Sequence, residues 1–516
     1  MTNRLAVPAL LLFGCGDPAS APRPAPEPTK PVVAPLPDIS DPYARPPGGG
    51  TSPVDAINRG AAPLPSERPG HGEPTTAPSA TLTSSGYQIQ FATHSPVPTP
   101  AIHNGTLLVS GGFNSREIYA YEPATGKPQW GKALSDDGPS NPVCEGQTCV
   151  FNSESCTTFA VDAKTGNVKW AWWLGDPQTS SPTIAHGLVF ASYPSHQYAS
   201  EPSPFDEQPA TAPGPRGTHV IAAFDLETGK PIWRKWLDAD VMSAPVAVGK
   251  FLYLTTFNGS VVKLDQKTGD IRYAIAMRAT SAPVVVRAKG RESLHVTRRV
   301  EERPDETKEA IVRADLGDTR LAFRARAKPA PYLDPKVQRG AEMAKLAAVD
   351  DSENGFGTVP AAAGANGAMG IVGVGNVSTM QRFQGSRVLV AGGLVYSTMG
   401  DEVIAVDGET GETRWRHALP GDIKHAGGHL GTAPLIAGGE IIVATFGGEV
   451  LRMDAKTGTR VATYKTGAPL RSQPIVMTGW IYLGTEDGRL IALDTKVAAL
   501  TGWPTWGGDT GRTAVR

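Results

Sequence analysis

The chain has 516 residues, with 49 Lys and Arg against 50 Asp and Glu. The net charge is −1, and there is no basic excess with which to neutralise a nucleic-acid backbone. Only four cysteines are present, and the apolar run at the start, Met1 to Phe13, is too short to cross a bilayer as a helix.

That first run carries one basic residue, Arg4, and ends in Leu12-Phe13-Gly14-Cys15. The tetrapeptide resembles a bacterial lipobox, which implies that residues 1–15 are a lipoprotein signal segment with its lipobox cysteine, in which Cys15 is lipidated and becomes the mature N-terminus after cleavage. The alternative is an ordinary secretory signal or a buried start, and the compartment expected is outside the cytoplasm. From residue 16 to about 80, Pro, Ala, Gly, Ser and Thr dominate and large apolar residues are few, so the stretch cannot bury enough surface to fold. It reads as a disordered tether. The step from Cys15 to Ala80, at roughly 3.1 Å per residue in extended polyproline form, reaches on the order of 200 Å.

Residues 81–516 are organised by a repeat. Its clearest copy is Ala160-Val161-Asp162-Ala163-Lys164-Thr165-Gly166-Asn167-Val168-Lys169-Trp170. A short apolar strand ends in Asp162, whose carboxylate bends back onto the amides of a four-residue turn. Thr165 assists, Gly166 takes the left-handed conformation, and a second strand brings in Trp170. The acid recurs at Glu122, Asp162, Asp225, Asp265, Asp315, Asp407, Asp454 and Asp494, at intervals of 40, 63, 40, 50, 92, 47 and 40. Eight residues after it stand Trp130, Trp170, Trp233, Tyr273, Phe323 and Trp415, whereas the last two copies place Ala462 and Gly502 there.

Upstream of each acid lie two further strands joined by a tight turn, as in 244–254 and 473–483, and a turn such as Asn258-Gly259 or Asp487-Gly488 leads into the strand that ends at the acid. Each period thus holds four strands, a to d, which is one propeller blade. The Gly-His and Trp-Asp signature of WD40 repeats is missing. The Ala-x-Asp-x-x-Thr-Gly-x-x-x-Trp pattern resembles the quinoprotein-type, or PQQ-like, repeat. That resemblance implies an all-β, eight-bladed propeller of four-stranded antiparallel blades in which each Trp docks between neighbours. On this reading Asp162, Gly166, Trp170, Asp225, Trp233, Asp407 and Trp415 are structural.

The last blade lacks a strand d after Asp494. Ser85 to Thr93 reads as that strand, so the two ends of the propeller share a blade and no edge stays open. The alternative is closure by Trp503-Pro504-Thr505-Trp506. Two insertions interrupt the rhythm. Residues 194–217 fall between strands b and c of blade 3. Residues 329–381, with one helical run from Lys336 to Val349, fall between blades 5 and 6.

Cys144 and Cys149 face each other across the turn Glu145-Gly146-Gln147-Thr148, close enough to bridge, which leaves Cys156 free. A metal-binding trio of the three is the competing reading. Related quinoprotein dehydrogenases resemble one another in a disulfide between adjacent cysteines and a calcium beside the quinone. Neither adjacent cysteines nor a calcium-loop spacing is present, so no cofactor is expected. No Gly-x-Ser-x-Gly, Walker or His-Glu-x-x-His motif offers a catalytic foothold.

Loops joining d to the next a, and b to c, share one side of the ring. The d–a loops carry Asp136, Asp137, Asp238 and Asp240 before blades 2 and 4, and Arg278, Arg382, Lys424 and Arg471 before blades 5 to 8. An acidic arc facing a basic one suits a peptide or protein partner; solvated loop charges are the plainer reading. Asp422, His425 and His429, with His417 nearby, offer a weak metal candidate, because Gly427-Gly428 removes the helix on which the His spacing would count.

The whole resembles the propeller lipoprotein of the outer-membrane β-barrel assembly machinery. It implies a non-catalytic, lipid-anchored envelope scaffold that binds proteins through its loops and involves no nucleic acid. The weaker lean is to the outer membrane, facing periplasm or exterior. The alternative is a PQQ- or metal-dependent oxidoreductase.

Overall fold

The computed structural model describes residues 70–515 except 155–156, 175–179, 195–218, 238–240, 257–258, 289, 304–305, 316–320, 330–384, 424 and 427. Expectations for Cys15, the lipobox, the tether up to residue 69, Cys156, Asp238, Asp240, Arg382, Lys424, the helical run and the bodies of both insertions lie outside the described residues.

Eight antiparallel sheets form the molecule, and each is one repeat. Strand order follows the chain from a to d in blades 1 to 7, spanning 101–134, 143–173, 183–237, 246–276, 284–329, 388–418 and 435–465. In blade 8, strands a, b and c are Ile475–Met477, Trp480–Gly484 and Arg489–Asp494, and strand d is Gly86–Gln90 from the other end of the chain. Tyr87 pairs with Ala492 and Ile89 with Leu490 in that closure. The 503–506 segment takes no part in it as a blade strand.

Two short strands extend the sheets outward. Thr81–Thr83 adds to the closing strand, and Gly72–Pro74, within the stretch assigned to the tether, pairs with Pro128–Leu134 on the outer edge of blade 1. Gly70 is already enclosed: a Cβ there would lie 2.5 Å from that of Ala171 and 2.6 Å from the Phe159 ring.

Both faces of each blade are buried, which is why the strands read as nearly continuous apolar runs. In strand c of blade 2, Thr157–Asp162, successive side chains serve different neighbours. Phe159 and Val161 pack with Leu108, Ile118 and Ala120 of blade 1, while Ala160 packs in the cluster of Trp170, Phe224 and Ile221 that joins blade 3.

The recurring turn locks one blade to the next. The Asp162 Oδ1 accepts the amides of Lys164 at 3.1 Å and Thr165 at 2.9 Å, and the Thr165 hydroxyl at 2.9 Å. Trp130 of the preceding blade lies over this turn, its Nε1 donating to the Ala163 carbonyl at 3.3 Å. Gly166 has φ 70°, and a Cβ on it would sit 2.6 Å from the Trp130 ring, so two constraints require glycine there. Trp170, Trp233 and Trp415 repeat the bond to the carbonyls of Leu226, Gln266 and Ala455 at 2.9, 2.8 and 2.9 Å. At the seam, Tyr87 takes the role: its hydroxyl donates to the Pro123 carbonyl at 2.7 Å beside Gly126. Gly502 was therefore not the position to compare, because strand d of blade 8 precedes the rest of its blade in the chain.

The Cys144–Cys149 disulfide is formed, across paired positions of strands a and b, with both residues buried.

Candidate binding face

Strand d of each blade climbs to the face where strand a of the next begins, and strand b ends on that same face. We call it the upper face. Its loops are in contact, as in blade 2, where Ser153 of the b–c loop donates to Asp136 of the d–a loop at 2.6 Å. The lower face carries the tight a–b turns and the Asp-centred turns.

Asp137 is held by Arg116 Nε at 2.8 Å. Glu154 completes an acidic group with Asp136 and Asp137. Burial, and then the two Asp charges, push its carboxyl up, against the Asn114 amide that donates to it at 2.9 Å. Arg278, on the opposite side of the sequence pattern, has φ 54° and lies with its backbone against Gly259, where a Cβ would come within 2.6 Å. Arg471 ties blades 7 and 8 together: it lies 4.3 Å over the Phe446 ring, donates to the Ala426 carbonyl and pairs with Glu486 at 3.5 Å. Of the described loop charges, Asp137 and Arg471 thus make ion pairs within the protein.

The histidine candidate separates. Asp422 Oδ1 accepts the His425 amide at 3.3 Å as a turn, and the His425 ring meets Phe446 edge-on at 5.5 Å. His429 is buried, its Nε2 3.6 Å from Glu309 of blade 5. His417 lies on strand d of blade 6, Thr413–Ala418, its pKa lowered by burial and by Arg460. Among the described residues no group of three His, Cys, Asp or Glu is placed to hold a metal.

Two features escaped the sequence reading. Blade 5 is long: its strands b and c are Arg291–Arg303 and Glu306–Asp315, against Phe251–Thr255 and Ser260–Asp265 in blade 4. The pair Thr297 and Ile311 matches the last b–c pair of blade 4, Thr255 and Val261, so residues 298–303 extend the hairpin further. At about 3.3 Å per residue they project it roughly 20 Å from the upper face. The signal was the interval of 50 between Asp265 and Asp315, ten residues beyond the basic period and divided between two strands.

The second feature is the C-terminal segment, which turns inward after Asp494 and crosses the central channel at the level of the a strands. The Pro504 carbonyl accepts from Ile102 at 2.8 Å, Thr510 from Ile184 at 3.1 Å, Gly511 from Ala247 at 2.9 Å and Ala514 from Val390 at 3.3 Å. Val476 and Trp503 exchange two backbone bonds, and Thr505 donates to the Pro142 carbonyl at 3.1 Å. Six blades are bridged by one stretch of successive turns, and Trp503 and Arg512 are fully buried within the ring. No local period announces a segment whose partners are six different strands.

In sequence, the family profile described as outer membrane protein assembly factor BamB matches residues 80–200, 199–300 and 356–508. No curated protein matches the chain. Similar solved structures include BamB from Moraxella catarrhalis, at 14% identity, covering 81% of this chain and 99% of that one with a TM-score of 0.49. A quinohemoprotein alcohol dehydrogenase from Pseudomonas putida HK5 has 12% identity, 80% and 76% coverage and a TM-score of 0.49. The computationally designed Ika8 protein has 11%, 78% and 98%, and 0.49. With a repeat profile matched over most of the ring and eight four-stranded blades locked through their Asp, Gly and Trp positions, the chain belongs to the PQQ-like propeller family described as outer membrane protein assembly factor BamB.

Proposed function

We propose that this protein is a non-catalytic, lipid-anchored scaffold of the bacterial envelope that holds a protein partner on its upper face, in the service of outer-membrane protein assembly. One observation carries the proposal: every major elaboration of the repeat leaves from that face. Residues 195–218 connect strands b and c of blade 3, the long hairpin is the b–c connection of blade 5, and 330–384 connect strand d of blade 5 to blade 6. The chain also enters there, since Gly72 pairs with Leu134 at the upper end of strand d and the His71 carbonyl accepts from Ser135 of the d–a loop at 2.9 Å.

The composition of the hairpin supports a protein partner. Residues 299–308 hold Arg299, Arg303 and Lys308 against Glu301, Glu302, Asp305 and Glu306, a mixed field rather than the single sign that phosphates favour. The family's name supports the setting.

Affinity capture from envelope extracts tests the reading, with wild type compared with a protein whose hairpin is trimmed by removing 300–308. A specific partner retained by wild type and lost on trimming is expected. Membrane release of Cys15→Ala tests the anchor. A stable quinone chromophore with dye-linked alcohol oxidation, after adding quinone and calcium, would overturn the non-catalytic assignment.

A further inference from the structure

The blade 5 hairpin leaves the upper face through a root of buried polar side chains. Arg298 pairs with Ala310, and Arg299 with Glu309, at the first rungs of the projection. Arg298 and Glu309 are buried, at 8% and 2% exposure. Side chains alternate along strand c, so Glu309 shares a face with Ile311, which packs in the cluster of Val388, Leu389 and Val403 of blade 6. An apolar row therefore ends in a buried carboxyl group.

Two elements meet that carboxyl group. The Thr280 hydroxyl, just before strand a of blade 5, donates to Oε1. It lies 2.8 Å from the Thr297 hydroxyl, which is 2.8 Å from Ser281 Oγ. The backbone is joined at the same level, where the Thr280 amide donates to the Thr297 carbonyl at 2.9 Å and Ala279 bridges to Arg298. Oε2 lies 3.6 Å from Nε2 of His429, in the loop 419–434 between blades 6 and 7. Blade 6 holds that loop: its Gly400 carbonyl accepts from the Leu430 amide at 2.8 Å, and its Thr398 hydroxyl donates to the Thr432 carbonyl at 2.7 Å. One side chain at the hairpin root thus touches its own blade and a loop fixed to the next.

Stability does not call for a carboxyl group at this position. Burying it costs free energy that its partners at best return, and an apolar side chain of similar size would continue the Ile311 row without that cost. What the polar contacts add is one geometry. A strand c displaced at its root would forfeit Thr280 and His429 and leave the carboxyl group buried without them.

We propose that Glu309 is a positioning residue, fixing the angle at which the hairpin leaves blade 5 and so presenting it to a protein partner in one orientation. The inference rests on the reading of this hairpin as part of the partner surface. A fixed arm avoids the ordering cost that a swinging one meets on binding.

Pulsed electron paramagnetic resonance reads the angle as a distance. The full chain carries Cys15→Ser and Cys156→Ser, which leaves Cys144 and Cys149 in their disulfide, and spin labels on Glu302→Cys and on Lys164→Cys in the blade 2 turn. One narrow distance distribution is expected for this parent protein. Glu309→Met, close in size and without the polar contacts, should lose the single narrow peak while its thermal midpoint equals or exceeds the parent's. A group needed only for stability would lower the midpoint and leave the distances of the folded protein unchanged. Thr280→Val removes the hydroxyl donor alone and should spread the distribution in the same way. A broad distribution in the parent would overturn the proposal, as would an unchanged narrow peak in Glu309→Met or, should that variant not fold, in Thr280→Val. The distances are read without a partner, so failure of the positioning role shows here, whereas failure of the partner reading shows in the capture experiment.

Discussion

Single residues carry the blade-to-blade lock, and their roles separate by substitution. Trp170 contributes both a buried ring and a hydrogen bond to the Leu226 carbonyl at 2.9 Å. Trp170→Ala should cost roughly 3–5 kcal/mol. Trp170→Phe keeps much of the ring and loses the bond, for about 1 kcal/mol. Gly229→Ala attacks the same lock from the other side, since φ is 67° and the new Cβ would lie 2.6 Å from the Trp170 ring. All three belong in one urea-midpoint series. An unshifted midpoint for Trp170→Ala would show that the lock does not hold the ring together. These positions were legible in the sequence because each lock uses a short local grammar of Asp, Thr and Gly at fixed spacing, with the aromatic one blade earlier. The variants of the grammar were less legible. Tyr273 stands where a Trp would, and blade 4 is joined to blade 5 instead by Glu292, which accepts from Tyr273 at 3.3 Å and pairs with Lys263 at 2.9 Å and Arg287 at 3.1 Å. Nothing in the spacing of Glu292 marks it as a partner of all three.

At the scale of elements, the closing strand Gly86–Gln90 decides whether the ring has an edge. It pairs with Arg489–Asp494, and its alternation puts Tyr87 and Ile89 in the core, which is why it could be read from sequence. Tyr87→Ala should therefore act as a core truncation at the seam, costing roughly 3–5 kcal/mol. Proline at Ile89 would break the pairing as well. The telling measurement is amide exchange in Trp480–Gly484 and Arg489–Asp494: faster exchange there than in blade 4 is expected for Tyr87→Ala, and uniform loss of protection would mean that the seam is not where the ring opens. The added strand Gly72–Pro74 was missed for a physical reason. Its three residues sit in a Pro- and Gly-rich stretch with no alternation, and what orders them is the unpaired edge of Pro128–Leu134 rather than any apolar face of their own. The blade 5 hairpin was missed differently, since charges alternate with few apolar residues along its projecting part and only the lengthened interval betrays it.

For the whole molecule, stability should fall in two steps as the solution is acidified. Burial holds His295 down at about 4, helped by the Arg313 charge, and it holds His429 well below its ordinary value, helped by Arg387. An unfolded chain binds protons at these two sites from about pH 6.5, whereas the folded chain does not. The unfolded state therefore takes up more protons as pH drops from about 6.5 toward 4, and stability is lost across that window. The second step belongs to the turns. The Thr228 hydroxyl and amide hold the Asp225 carboxyl down. Asp454 is lowered chiefly by the Thr457 amide, and Asp407 by Arg414. At Asp162 and Asp265 burial pushes up, but the donors outweigh it and both are lowered; Asp494 is lowered by Lys496. Depressed carboxylates stabilise the fold above their unfolded values, near 4, and that contribution disappears as pH falls through the folded ones. Glu154 runs the opposite way, raised by burial, but it is one group against six. Urea midpoints from pH 8 to 3 should decline gently below about 6.5 and steeply below about 4. In a His295→Gln/His429→Gln protein the gentle decline should flatten while the steep one remains. A wild-type midpoint unchanged between pH 7 and 5 would mean that the two imidazoles are not held neutral by the fold, and the first step would have to be abandoned.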